Sequence, residues 1–112
     1  PASRLAALWI ALAARFHDDA DVRGALMTVR KDSHRHRSPN AGWPEAAMAG
    51  ALGLKLSGPR VYHGALTDED WIGEGREEAS AADIRRALGV YKTACTLQIA
   101  ALGLLAFLIS LI

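Results

Sequence analysis

The sequence predicts an all-α fold, a fragment of a helical integral membrane protein that carries an extramembrane helix–loop–helix segment. Three observations predict it. Residues 93–112 read TACTLQIAALGLLAFLISLI, without a single charge; at about 1.5 Å per residue such a run covers roughly 30 Å, the thickness of a hydrocarbon core. Nearly all the charge lies between residues 15 and 92, with acids and bases about balanced. The apolar content is 51% but only 6% is aromatic, so Ala and Leu supply most of it, and both are strong helix formers.

The bulk properties narrow the function classes. A chain of 112 residues allows one compact domain at most. A formal net charge of +1 argues against a strongly charged nucleic-acid or polyanion binder, and no nucleic-acid partner is expected. The lone Cys95 has no partner for an internal disulfide. The chain opens on Pro1 with no Met before Met27 and no signal-peptide pattern, and it reads as a fragment.

Taken in order, residues 1–16 are expected to form the end of a truncated transmembrane helix or an interfacial helix. Their apolar run, 5–14, lies between Arg4 and Arg15 and is too short to span by itself. Residues 17–80 form the extramembrane segment. Within it, 18–31 predicts a helix, with Asp18, Asp19 and Asp21 in the first turn and Arg30 and Lys31 in the last, matching the macrodipole. Val22, Leu26 and Val29 share one face of it.

The stretch Ser38-Pro39-Asn40-Ala41-Gly42-Trp43-Pro44 is rich in breakers and predicts a fixed loop, with Gly42 at positive φ. Pro44 suits the first position of a new helix over 44–56, full of small residues that allow close helix approach. Ser57-Gly58-Pro59 is expected to end that helix. Residues 61–63 suit a short strand, and 67–75 an acidic loop. Ser80, with Asp83 three residues on, reads as the N-cap and acidic partner of a last helix over 81–112, transmembrane from about residue 93. Arg85, Arg86 and Lys92 precede the apolar run and mark its cytoplasmic end. Gln98, the strongly polar side chain in the run, prefers a partner helix to lipid.

The chemistry-bearing residues cluster around the breaker-rich stretch. Arg30, Lys31, Arg35 and Arg37, with His34 and His36, lie directly before a helix start, whose open N–H groups favour phosphate. The same pattern also describes a juxtamembrane basic run that touches head groups. Asp32 and Glu45 flank the stretch and are of a type to hold Mg²⁺; spacing alone favours the plainer reading, in which Asp32 pairs with Arg35 or Arg37 and Glu45 caps the helix from Pro44. Trp43 and Trp71 read as core or interface aromatics. Asp68, Glu69, Asp70 and Glu74 read as a solvated acidic loop. No Walker loop, nucleophile elbow or zinc motif occurs.

From Asp32 to Gly53 the chain resembles the signature of the adenosylcobinamide-phosphate synthase (CbiB/CobD) family, D-A-x-x-H-x-S-P-N-A-G-x-P-E-A-A-x-A-G-A-L-G, with Ser33 at the alanine position. Leu56-x-Gly58-Pro59, Tyr62-x-Gly64, Trp71-Ile72-Gly73-x-Gly75 and Ala82-Asp83-Ile84 follow the family's order, and Pro1 to Leu5 resembles its P-A-R-L with Ser3 inserted. The resemblance covers nearly the whole chain and identifies its C-terminal part. It implies cobalamin biosynthesis: ATP-dependent formation of an amide between aminopropanol phosphate and adenosylcobyric acid, giving adenosylcobinamide phosphate. It further implies ATP and Mg²⁺, a multi-pass protein of the cytoplasmic membrane with residues 17–80 facing the cytoplasm, membrane lipid around it, and upstream transmembrane helices as partners. The residues it puts forward are Asp32, His36, Asn40 and Glu45 for catalysis, Arg30, Lys31, Arg35, Arg37, Ser38 and Gly42 for substrate phosphate, and Asp32 with Glu45 for metal. The alternative is a non-catalytic regulatory or scaffold protein of the same layout, such as the related membrane family linked to β-lactamase regulation; the intact S-P-N-A-G-x-P-E string argues for the synthase.

Overall fold

A computed structural model describes residues 2–35, 39–58, 60–62, 64–67 and 71–112. It is mostly helical, with helices α1 (Ala2–Ala14), α2 (Val22–Asp32), α3 (Pro39–Leu52) and α4 (Ala81–Ser110), and a single 3₁₀ turn, Ser33–Arg35, between α2 and α3. Among the described residues, four short strands lie between α3 and α4: β1 (Leu56–Ser57), β2 (Arg60–Tyr62), β3 (Ala65–Thr67) and β4 (Trp71–Ile72).

Helix α1 buries Ala7, Ile10, Ala11, Ala13 and Ala14, and leaves Leu5, Leu8, Leu12 and Phe16 along an exposed stripe. The chain then turns tightly, Phe16 and His17 donating back to Ala13 and Ala14. Helix α2 therefore starts at Val22, later than the acidic run suggests. Asp21 is its N-cap, accepting the Arg23 N–H at 3.0 Å, while Asp18 and Asp19 stay in the turn. The Asp21 N–H donates to the Ala51 carbonyl at 2.8 Å, which ties the start of α2 to the end of α3. Arg30 and Lys31 fill the last turn of α2 as the dipole argument expects. Of the three residues on its apolar face, Val22 and Val29 are half-buried against α1 and α3, and Leu26 stays exposed.

The largest revision concerns residues 39–44, which are helix rather than loop. Helix α3 starts at Pro39 and holds Pro44 inside it. Both prolines suit a first helical position, where the missing N–H costs nothing. With Pro39 in that place, Pro44 lies in the second turn and removes the bond to the Asn40 carbonyl. Gly42 lies buried within α3, in helical backbone, so the positive φ expected for it is not found. The helix also stops early, at Leu52 rather than residue 56. Gly53 takes φ 69°, and the Leu54 N–H reaches back to the Ala49 carbonyl at 2.9 Å, a Schellman closure. Ser57 and Gly58 thus lie beyond the helix end, and Pro59 lies outside the described residues.

Small residues bring α3 close to its neighbours. Ala46, Ala47, Ala49 and Ala51 are at most 2% exposed, and α3 packs on both α1 and α2. At the α2–α3 crossing a Cβ on Gly24 would lie 2.5 Å from the Gly50 carbonyl oxygen. The strands form two antiparallel pairs, one nested in the other: Leu56 opposes Ile72 and Ser57 opposes Trp71, while Arg60–Tyr62 pairs with Ala65–Thr67. The strand expected over 61–63 is therefore β2, one residue earlier; His63 lies outside the described residues. Ile72 is fully buried against Ala46 and Ala49, which seats the outer pair on α3.

Helix α4 begins as the sequence predicts. Ser80 and Asp83 form a reciprocal capping box, the Asp83 carboxylate accepting the Ser80 N–H at 2.9 Å. Asp83 is 4% exposed and also accepts from Arg76 at 2.8 Å and Arg86 at 2.9 Å. The Arg76 guanidinium first, then the Ser80 backbone N–H, hold its carboxyl well below the usual carboxylate range, against the opposing effect of burial. Arg86 continues the network to the Leu52 carbonyl at 3.2 Å and the Asp19 carboxylate at 3.2 Å, joining α4 to the end of α3 and the α1–α2 turn.

Helices α1 and α4 run in opposite directions. His17, past the end of α1, bonds to Thr93 at 2.8 Å, whereas Ala6 near its start lies beside Gln98. Beyond this contact α4 projects clear of the other described residues: Ile99, Leu102, Leu104, Leu105, Phe107, Leu108 and Ile109 are each at least half exposed. Among the described residues α4 is the one helix long and apolar enough to cross a membrane.

Candidate functional site

The C-terminal turn of α2 positions the site. Arg30 and Lys31 occupy exposed positions there, and Asp32 turns inward to 2% exposure. The inward turn is explained by the partner that Asp32 meets, since its Oδ2 accepts the Gly73 N–H at 2.9 Å, from the far side of the strand pair. A carboxylate withdrawn from water needs hydrogen bonds of this kind. Gly73 has φ 92°, and a Cβ there would collide with the Leu54 carbonyl oxygen and press on Ala49. Only glycine allows the loop to come this near. The loop is fixed further by Arg76 N–H to the Gly53 carbonyl at 3.0 Å and Lys55 N–H to the Arg76 carbonyl at 2.9 Å.

Once Gly73 is anchored, Glu74 projects over the end of α2 and forms an ion pair with Lys31. Beside this pair lies a cavity of about 430 Å³ lined by Met27, Thr28, Arg30, Lys31, Asp32 and Glu74. Two cations, Arg30 and Lys31, and two carboxylates, Asp32 and Glu74, line it beside an apolar patch at Met27, so its formal charges balance. A second groove, about 230 Å³, lies between α1, α2 and α3 and is lined by Arg4, Ala7, Leu8, Leu26, Val29 and Trp43. Here the Arg4 guanidinium sits 4.9 Å over the Trp43 ring. Trp71 is likewise a packed aromatic, under Lys55 at 4.5 Å and against the backbone of Gly58.

The structure brings Arg30, Lys31 and Asp32 to one cavity. Ser33 and His34 follow in the 3₁₀ turn, Ser33 buried and His34 exposed, and the backbone of Arg35 closes that turn. His36, Arg37 and Ser38 lie outside the described residues. Asn40 is exposed in the first turn of α3, Gly42 is buried two residues on in the same turn, and Glu45 is half-buried in the second turn, too far along to cap the helix start. Sequence reasoning missed Met27, Thr28 and Gly73, and it read Glu74 as part of a solvated loop, which its 78% side-chain exposure matches. Gly73 was within reach as the glycine of the Trp71-Ile72-Gly73-x-Gly75 string; nothing local marks Met27 or Thr28. Among the described residues no three His, Cys, Asp or Glu side chains converge.

The sequence model of the family described as CobD/Cbib protein matches residues 1–91. The chain is 50% identical over 107 residues to "Cobalamin biosynthesis protein CobD" of Sinorhizobium fredii, covering 94% of this chain and 33% of that protein. It is 47% identical over 100 residues to the protein of that name from Rhizobium meliloti, covering 88% and 31%, and 40% identical over 92 residues to the one from Yersinia enterocolitica, covering 81% and 29%. The chain thus spans about a third of the length of the curated relatives it matches. No solved structure matches it.

Proposed function

Because the chain belongs to the CobD/CbiB protein family, we propose that it is the C-terminal part of a membrane-embedded enzyme of cobalamin biosynthesis, one that joins aminopropanol phosphate to adenosylcobyric acid through an amide. The observation that supports this reading best is the cavity at the end of α2, where Arg30 and Lys31 face Glu74 directly before the signature helix.

The chemistry asks for such a surface. A carboxylate is a poor acyl donor, and ATP supplies the phosphoryl group that turns one oxygen into a leaving group. The amine nitrogen then bonds to the acyl carbon, the acyl–oxygen bond breaks, and phosphate departs with that oxygen. Negative charge gathers on phosphate oxygens throughout, so preorganised cations are the main contribution that a protein makes. In this reading Arg30 and Lys31 hold phosphate oxygens, Arg presenting a planar fork and Lys a point charge. Arg35, His36, Arg37 and Ser38 follow in the sequence, and the family resemblance assigns Arg35, Arg37 and Ser38 to substrate phosphate and His36 to catalysis. Asn40 and Glu45, on the first two turns of α3, contact the reacting groups.

Asp32 belongs to the site as its anchor. At 2% exposure, with one oxygen given to Gly73, it is poorly placed for Mg²⁺, which keeps several waters when carboxylates bind it. In this reading the cations Arg30 and Lys31 carry the charge compensation.

The test uses the full-length protein in membranes, supplied with adenosylcobyric acid, aminopropanol phosphate and ATP. Adenosylcobinamide phosphate should form, and Arg30→Ala with Lys31→Ala should lower its rate at least tenfold with protein level unchanged. A protein that inserts normally yet forms no product would favour the non-catalytic alternative.

A further inference from the structure

We infer that Glu74 is an internal stand-in for a phosphate group, its carboxylate pairing with Lys31 in the α2 cavity until a phosphate-bearing ligand displaces it. This inference rests on the reading of that cavity as the phosphate site and adds a residue that sets its affinity.

Three observations carry it. First, Lys31 and Glu74 stand 43 residues apart in the chain and meet across the cavity, so the pair belongs to the cavity and to no single element. Second, the pair is exposed, with side-chain accessibility of 51% for Lys31 and 78% for Glu74. Exposed pairs of this kind contribute little to folding and exchange readily. The frame beneath it is firm by contrast. Asp32 holds the Gly73 N–H, and the Gly53–Arg76 and Lys55–Arg76 backbone bonds hold the chain on the other side of Glu74. Displacement of the carboxylate leaves these backbone bonds in place. Third, Arg30 lines the same cavity. A phosphate group carries about twice the charge of a carboxylate and offers oxygens to both cations, so it outcompetes the single carboxylate for this pair of residues.

The consequence is a built-in competitor. It neutralises the cavity when no ligand is present and weakens the capture of single anions that reach only Lys31. A ligand spanning Arg30 and Lys31 recovers the loss.

The experiment measures pyrophosphate binding to the full-length protein in detergent by isothermal titration. Glu74→Gln should bind pyrophosphate about two- to fivefold more tightly than wild type, the range expected for releasing an exposed ion pair. The gain should shrink at high salt, where the pair is already screened. Glu77→Gln, which removes the partner of Lys55 outside the cavity, is the control and should leave binding unchanged. Arg30→Ala should abolish binding in both backgrounds, which locates the probe. Equal or weaker binding by Glu74→Gln overturns the stand-in role while leaving the phosphate site intact. If pyrophosphate binds to neither protein, the reading of the cavity as a phosphate site fails, and the inference fails with it.

Discussion

The Asp32 carboxylate, at the end of α2, accepts the backbone N–H of Gly73 at 2.9 Å across 41 residues of chain. That bond sets where the β4 loop lies, and through the loop it sets where Glu74 meets Lys31. One buried side chain thus shapes both walls of the cavity.

Asp32→Ala should leave the Gly73 N–H buried without its acceptor and cost roughly 1–3 kcal/mol of stability. Asp32→Asn keeps an acceptor oxygen and should cost less. Thermal unfolding of the full-length protein in detergent orders the two. If Asp32→Asn folds as well as wild type yet loses amide formation tenfold or more, the carboxylate acts on the reaction beyond anchoring the loop.

Gly24→Ala and Gly50→Ala should each destabilise the protein by about 1–3 kcal/mol, because the new methyl meets facing backbone at the α2–α3 crossing. Gly103→Ala meets nothing within 4 Å and should be neutral or slightly stabilising, since alanine favours helix by up to about 1 kcal/mol. Melting temperatures of the three variants check this ordering. A Gly50→Ala protein as stable as wild type would show that the two helices separate freely.

The Asp83 network gives a pH dependence with a definite sign. Its carboxyl titrates below the ordinary range when folded, so its contribution is complete above the unfolded value of about 4 and fades as pH falls below it. Asp83→Asn should therefore melt lower than wild type at pH 7, with the gap narrowing at pH 3. A gap of the same size at both values would mean that the charge of Asp83 is not what stabilises the start of α4.

Helix α4 should be sensitive to charge only where it stands clear of α1. Leu105→Arg should impair insertion by about 2.5–3.5 kcal/mol if that position lies mid-bilayer. Leu88→Arg, equally exposed but before the uncharged run, should insert normally. With Cys95 replaced by alanine, a cysteine at the exposed Glu78 should label only from the cytoplasmic side. Labelling from the outside of intact cells would reverse the expected topology.

Some of this protein was readable from the chain alone because its determinants are local. The Ser80–Asp83 capping box spans three residues, and the uncharged run of α4 is contiguous, so composition and spacing suffice for both. The dipole-matched cations at the end of α2 are local in the same sense, and the Asp32–Gly53 string points to the family. The start of α3 was ambiguous locally, because Pro39 and Pro44 each suit a first helical turn. The choice falls to packing: the longer helix closes on α1 and α2 with its alanines and Gly50, and the loss of one backbone bond at Pro44 is small beside that burial. The roles of Asp32 and Glu74 were beyond any local rule. Their partners, Gly73 and Lys31, lie more than forty residues away, and a side chain's partner at that distance is decided by how the helices and strands pack, which no spacing along the chain encodes.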